Sequence, residues 1–311
     1  MMGRIARLIN HIQRGTLLER IQGEWTERAK KRRRIRWNNR NGKREYVETR
    51  IEHGLRMSLH FDSELARLIY CDEFEKGERH FVSAFLRPGD VFVDVGANIG
   101  LFSLIAAKWV GDSGEVYAFE PSGKTFQRLR ENTKLNNLHN VQCFRLALSD
   151  ETGEFPFYTS EDGFDAWNSI ARPIAGKSFT REFIQCVTWD QFARLHQLVG
   201  RVAMMKIDVE GWEIHILSGG KETFSREDAP LLQVEFTDAA AASAGSSCEE
   251  LYHMLEHLGY RMFVYDPRRM ELIYDPLRES YPYVNLIATK RPQEASLRLR
   301  KGSPWRWLLT N

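Results

Sequence analysis

The segment Val91-Phe92-Val93-Asp94-Val95-Gly96-Ala97-Asn98-Ile99-Gly100 carries the densest chemical information in the chain. An apolar strand runs into a glycine turn and then an apolar helix, as ligand sites at the carboxyl edge of a parallel sheet do. Gly96 and Gly100 remove side chains where the backbone must come close to a ligand, and Ala97 and Asn98 complete the turn. The G-x-G-x-x-G spacing of a dinucleotide site is absent. Asp94 stands two positions before the first glycine, where a carboxylate repels a pyrophosphate but suits the cationic amino-acid end of S-adenosylmethionine. Glu120 ends the next strand, in Tyr117-Ala118-Phe119-Glu120-Pro121. It follows Gly100 by about 20 residues, the place from which an acid binds the hydroxyls of an adenosyl ribose.

Two further strand ends add polar groups. Ala147-Leu148-Ser149-Asp150 offers Ser149 and Asp150 to an adenine amino group, or forms a plain turn capped by Asp150. Met205-Lys206-Ile207-Asp208-Val209-Glu210-Gly211-Trp212-Glu213 releases Asp208 and Glu210 at the cleft where a methyl acceptor would lie. Either carboxylate could orient or deprotonate a hydroxyl, and Asp208 also borders the cofactor; one of the two could instead cap the next helix. Glu235 ends the fifth strand facing the same cleft, as a substrate contact or a structural hydrogen-bond partner. Asn168 and Ser169, in a loop with Gly163, Asp165 and Trp167, would cover the substrate as a lid. His215 reads as a packed or solvated helix residue. No His/Asp cluster or C-x-x-C indicates a metal, and methyl transfer from an activated sulfonium needs none.

The elements that must position these residues alternate regularly from about Gly77. Helix Glu78–Leu86 ends at Arg87-Pro88-Gly89, a turn that launches strand Val91–Val95. Helix Leu101–Val110, strand Glu115–Glu120, a helix opened by Pro121-Ser122, and strand Val141–Leu148 follow. A hairpin at Glu154–Thr159 and a Gly/Asp-rich loop fill 151–181. Helix Trp189–Leu198, strand Ala203–Val209, a short helix from Trp212 to Gly219-Gly220 and strand Leu231–Phe236 come next. Ala239–Ala244 reads as a loop of small residues. Helix Cys248–Leu258 then precedes strands Arg261–Tyr265 and Val284–Thr289, expected as an antiparallel edge pair. Unalternating apolar strands separated by helices predict a mostly parallel sheet covered on both faces, an α/β architecture.

Composition narrows the remaining possibilities. Across 311 residues the formal charge is only +2, so no global field points to nucleic acid or acidic substrates. Cys71, Cys143, Cys186 and Cys248 are scattered, as reduced thiols in a cytoplasmic protein are. No run approaches the ~18 apolar residues of a membrane span, and Arg4 and Arg7 interrupt any secretory signal. The N-terminus is locally basic, with the run Lys30-Lys31-Arg32-Arg33-Arg34-Ile35-Arg36. Ile5, Leu8, Ile9 and Ile12 before it recur at helical spacing. Residues 1–40 therefore read either as an arm that meets an anionic or inner-membrane surface, or as a helix packed on the protein itself with solvated charges. The expected division is an extension over 1–76, a catalytic domain over 77–290 and a tail over 291–311.

In these blocks and this order the chain resembles the FkbM family of S-adenosylmethionine-dependent methyltransferases. The resemblance rests on Val93–Gly100, Phe119-Glu120-Pro121, Ala147–Asp150, Asn168-Ser169, Lys206–Glu213, Glu235 and Asn285-Leu286, and covers roughly residues 78–290. It implies a Rossmann-like class I methyltransferase fold. The implied activity is O-methylation of a hydroxyl on a sugar, a glycolipid-like molecule or a natural product, with S-adenosylmethionine as cofactor. The acceptor does not transfer with the family. A nucleic-acid methyltransferase is disfavoured, because Asp208-Val209-Glu210-Gly211 stands where a Pro-Pro-aromatic loop would grip a flipped base. A binding module that has lost turnover is the remaining rival, disfavoured by the intact Asp94, Gly96, Gly100 and Glu120.

Overall fold

A computed structural model describes residues 26–160, 169–170 and 179–301. The expected apolar stripe from Ile5 to Ile12, Asn168 with its loop neighbours Gly163, Asp165 and Trp167, and the end of the tail lie outside these residues. The chain divides into two compact units, residues 1–47 with 59–74, and residues 48–58 with 75–311.

In the first unit, residues 26–40 form helix α1. Trp37 is its one buried position, packed at a tilt against Phe61 at 4.5 Å and Tyr70 at 5.3 Å between ring centroids. Residues 31–36 of the basic run are exposed, and Arg34 pairs with Glu73 at 2.5 Å. Strands β1 (Tyr46–Arg50) and β2 (Arg56–His60) make a two-stranded sheet, of which residues 48–58 are counted with the second unit; α2 (Glu64–Cys71) belongs to the first, and its N-cap Ser63 accepts from the Ala66 amide.

The second unit is the alternating region. It begins α3 (Lys76–Phe85), β3 (Val91–Val95), α4 (Leu101–Val110), β4 (Glu115–Phe119), α5 (Gly123–Leu135), β5 (Val141–Phe144) and β6 (Ala147–Ser149). It continues β7 (Gly153–Ser160), β8 (Phe179–Thr188), α6 (Trp189–Leu195), β9 (Val202–Ile207), α7 (Glu213–Gly219), α8 (Lys221–Ser225) and β10 (Leu231–Phe236). It ends α9 (Asp238–Ser243), α10 (Cys248–His257), β11 (Arg261–Asp266), β12 (Glu271–Tyr274), β13 (Val284–Thr289) and α11 (Pro292–Lys301).

Eight strands form one sheet in the order β12-β11-β13-β10-β9-β3-β4-β5. Its β10-β9-β3-β4-β5 part is parallel and doubly covered, so β3 and β10 are buried at every position. The antiparallel edge is as expected: β13 inserts between β10 and β11 and pairs antiparallel with both. This is the Rossmann-like class I methyltransferase fold. Its strand order reverses between β3 and β9, and ligands bind at the carboxyl side of that switch point.

Three expectations change, and the tail gains an element. The third strand is not continuous from Val141 to Leu148: β5 stays in the main sheet, while β6 joins a three-stranded sheet of order β6-β8-β7. The hairpin expected at Glu154–Thr159 is instead a single strand, β7, whose antiparallel partner β8 lies later in the chain. Ala239–Ala244 is largely helical, in α9, because alanine needs only a packed neighbour to be helical and Ala241 is buried. The tail begins as helix α11, held where Arg298 Nε donates to Phe85 O at 2.7 Å.

Candidate active site

The turn after β3 is shaped by positive backbone angles at Gly96 (φ 81°), Asn98 (φ 48°) and Gly100 (φ 94°). The glycines serve the protein's own packing. A Cβ on Gly96 would stand 1.9 Å from the Asp208 carbonyl oxygen, and one on Gly100 2.6 Å from Leu129 Cδ1. The turn is thereby pressed against the end of β9. Glu120 fixes it from the other side. Its Oε2 accepts from the Asn98 amide at 3.1 Å and its Oε1 from the Ser122 amide at 2.9 Å. Asn98 Oδ1 in turn accepts from the Ile99 amide at 2.8 Å.

Lys206 organises the acids around it. Lying in register beside Asp94 on β3 and Gln233 on β10, it is 2% exposed, with its ammonium 4.5 Å above the Phe102 ring. It donates to Asp208 Oδ2. A lysine so deep in a sheet stays charged only beside carboxylates. Burial opposes its charge, but Asp208, Glu75 and Asp94 outweigh burial and raise its pKa. Asp94 is 1% exposed and accepts from Ser103 Oγ at 2.5 Å; burial nevertheless raises its carboxyl.

Asp208, Glu210 and Glu235 bring carboxylate oxygens within 4.8 Å of one another, a group that could hold a metal ion. Their electrostatics differ. Burial would raise Asp208, but the Lys206 ammonium and a hydrogen bond with Glu235 hold it below the usual range. Two carboxyls bond only by sharing a proton, and here Glu235 retains it: burial, then the Asp208 and Glu210 charges, raise Glu235 well above its usual value. Burial and the charges of Asp208 and Glu213 likewise raise Glu210. Glu210 is also strained, at φ 54°. Glu213, rather than Asp208 or Glu210, ties down the turn into α7, accepting from the Val209 and Gly211 amides at 3.1 and 3.3 Å.

Ser169 reaches this end of the sheet. Its backbone bridges to Tyr158 of β7, and its Oγ donates to the Glu210 carbonyl at 3.0 Å. Ser149 and Asp150 join a polar chain: Trp212 Nε1 donates to Ser149 Oγ at 3.1 Å, Ser149 Oγ to Asp150 Oδ1 at 2.8 Å. His215 Nδ1 lies 3.0 Å from Asp150 Oδ2, and its ring stacks on Trp212 at 3.8 Å. Ser149 is fully buried, leaving Asp150, with a 41% exposed side chain, as the outward group.

Two participants carry no role in the sequence reading. A lysine inside the apolar run Val202–Ile207 is itself a signal that carboxylates must converge on it. Glu75 gives no such signal, yet its Oε1 accepts from Tyr283 Oη and from Asn285 Nδ2. Burial pushes it up to about 7 against the Lys206 charge. Lys206 is thus the cation opposing the upward shifts of Asp94, Glu75 and Glu210. Such an acidic surplus fits S-adenosylmethionine, which brings a sulfonium and an ammonium.

The family described as "Methyltransferase FkbM domain" matches residues 94–262. The 2-O-methyltransferase NoeI of Sinorhizobium fredii is 28% identical over 178 residues, 52% of this chain and 70% of that protein. Hexuronic acid methyltransferase AglP of Haloferax volcanii is 31% identical over 147 residues, 46% of this chain and 56% of its own. The 31-O-demethyl-FK506 methyltransferase FkbM of Streptomyces tacrolimicus is 31% identical over 203 residues, 56% and 75%. With more than half its length matched, a parallel sheet of the right order and acids at its strand ends, the chain belongs to the FkbM family of S-adenosylmethionine-dependent methyltransferases.

Proposed function

We propose that this protein methylates a hydroxyl oxygen on a sugar, glycolipid or natural-product acceptor. The observation that carries the reading is the carboxylate group of Asp208, Glu210 and Glu235 at the ends of β9 and β10, against the Gly96–Gly100 turn. The three relatives named above act, by name, on oxygen or on a sugar acid. Asp94, Gly96, Ala97, Asn98, Gly100 and Glu120 would hold S-adenosylmethionine, with Asp150 at the adenine edge and Asp208 beside the reacting end. Bound there, it supplies a methyl group already activated on sulfur.

The protein's remaining task is alignment and proton removal. Glu210 is the better base: its raised pKa makes it a stronger proton acceptor than Asp208, which Lys206 and Glu235 already engage. Glu210 would take the acceptor O–H proton as the methyl group exchanges its S–CH3 bond for an O–CH3 bond, the electron pair of the broken bond staying on sulfur in S-adenosylhomocysteine. Asp208 orients the hydroxyl, and Glu235 keeps a proton between itself and Asp208 so that the group does not carry a full negative charge on each member. Ser169 would lie over the acceptor. The reading requires no metal.

Glu210→Gln is expected to lower turnover by about 100-fold or more, the range for a lost general base. S-Adenosylhomocysteine affinity should stay within a few-fold by calorimetry, and turnover of the unaltered protein should survive a chelator. Loss of product binding with no separate loss of turnover would move Glu210 into the cofactor site. Loss of activity in the chelator would make the carboxylate group a metal site.

The exposed basic face of α1 supports a reading with a further, anionic partner. If the acceptor is lipid-linked, Lys31, Arg32, Arg33 and Arg36 would bring the enzyme to an anionic membrane surface, each worth about 1 kcal/mol there. No helix among the described residues is long and apolar enough to cross a membrane.

A further inference from the structure

Glu75 stands before α3 with φ 39° and ψ 51°, a left-handed conformation strained for a residue with a side chain. Its carboxylate does not cap the helix. It turns inward, where Oε1 accepts from Tyr283 Oη and, at 3.1 Å, from Asn285 Nδ2. Asn285 Nδ2 also lies 3.3 Å from Tyr283 Oη, so the three side chains close into a triangle. Glu75 Oε2 and Asn285 Oδ1 are buried acceptors without a donor among the described residues, and an acceptor left so calls for an incoming donor. Asn285 faces Glu235 in the β10–β13 register, which joins this triangle to the carboxylate group where methyl transfer is proposed. Tyr283 itself is 52% exposed. An ordinary surface tyrosine leaves its hydroxyl to water; this one has its hydroxyl clamped inside and its ring presented outside.

We infer that Tyr283, Asn285 and Glu75 form the acceptor subsite, and that the subsite takes a hydroxylated pyranose ring; this rests on the O-methyltransferase reading above. The flat C–H face of a sugar ring packs on an aromatic ring held in one orientation, at little entropic cost to the protein. The hydroxyls at the ring's edge donate to Asn285 Oδ1 and reach toward Glu210. Glu75 is a positioning residue that fixes Tyr283 and Asn285. An extended chain would offer neither the flat face nor neighbouring hydroxyls at fixed spacing.

The test uses the full-length protein with S-adenosylhomocysteine present. Saturation-transfer NMR reads binding of methyl glucopyranoside, methyl glucuronoside and N-acetylglucosamine, with mannitol as the open-chain control. At least one pyranoside should bind and mannitol should not. Tyr283→Ala should weaken that binding tenfold or more; Tyr283→Phe, which keeps the ring and loses the clamp, should weaken it several-fold. Glu75→Gln, which still accepts from Tyr283, should restore most of what Glu75→Ala loses. S-Adenosylhomocysteine affinity should stay within twofold in every variant, a readout that general damage to the fold would move. Normal product binding with no pyranoside bound, or with Tyr283→Ala binding as well as the unaltered protein, would overturn the subsite and leave methyl transfer standing. Failure of the unaltered protein to bind S-adenosylhomocysteine would overturn both.

Discussion

A carboxyl group buried among other carboxyls keeps its proton longer than one in water, and Glu75, Glu210, Glu213 and Glu235 all do so here. Burial raises Glu75 and Glu213 from 4.5 to about 7. Between those values the folded protein holds protons that the unfolded chain has released. Stability is therefore greatest below about pH 4.5 as far as these groups contribute, and it falls as pH rises toward about 7. Asp208 and Asp150 shift the opposite way, downward, so their effect belongs to more acid solution. Thermal melts at pH 5 and pH 8 should place the midpoint higher at pH 5, by on the order of 5 °C. Burial lowers His53 and His80, which pull the other way over this range, so Glu75→Gln is the decisive comparison: it should reduce the difference, and a difference it leaves unchanged would contradict the raised value of Glu75. The acids at strand ends were legible in the sequence because a strand followed by a turn fixes where its last residue lies. Glu75 was not, because its meaning is set by Tyr283, 208 positions away.

At the scale of elements, the parallel strands were readable because strands buried on both faces carry unbroken apolar runs. β8 was hidden for the opposite reason. Its sheet has a wet face, so Arg181, Glu182 and Gln185 interrupt the run. β12 is four residues long at the sheet's edge, with Ile273 and Tyr274 half exposed. The glycine turn was located correctly by its spacing, but spacing alone did not reveal that β9 presses against it. That contact makes Gly96→Ala costly before any ligand is considered. A positive φ of 81° and a Cβ 1.9 Å from a backbone oxygen should together destabilise the protein by at least about 2 kcal/mol. Urea unfolding measures this; unchanged stability with weakened S-adenosylhomocysteine binding would show that the glycine serves only the ligand.

For the whole molecule, a net charge of +2 conceals a concentration of basic residues on α1. Trp37 is buried and Arg34 is paired with Glu73, so part of this helix packs within its own unit. The exposed remainder is still available to an anionic surface. Sedimentation with anionic vesicles should capture the protein at low salt and release it at high salt, since such attraction is screened. Replacing Lys31, Arg32, Arg33 and Arg36 by Gln should abolish capture without lowering the melting temperature. No capture at low salt would leave these charges merely solvated.

Incubating the purified protein with methyl-labelled S-adenosylmethionine and hydroxyl-bearing sugars, glycolipids and polyketides, then locating the label, reads out which atom is methylated. Label is expected on an acceptor oxygen as a base-stable methyl ether, at a rate that Glu210→Gln reduces by about 100-fold or more. Label found on nitrogen or carbon, or bound cofactor with no transfer to any of these hydroxyls, would contradict O-methylation.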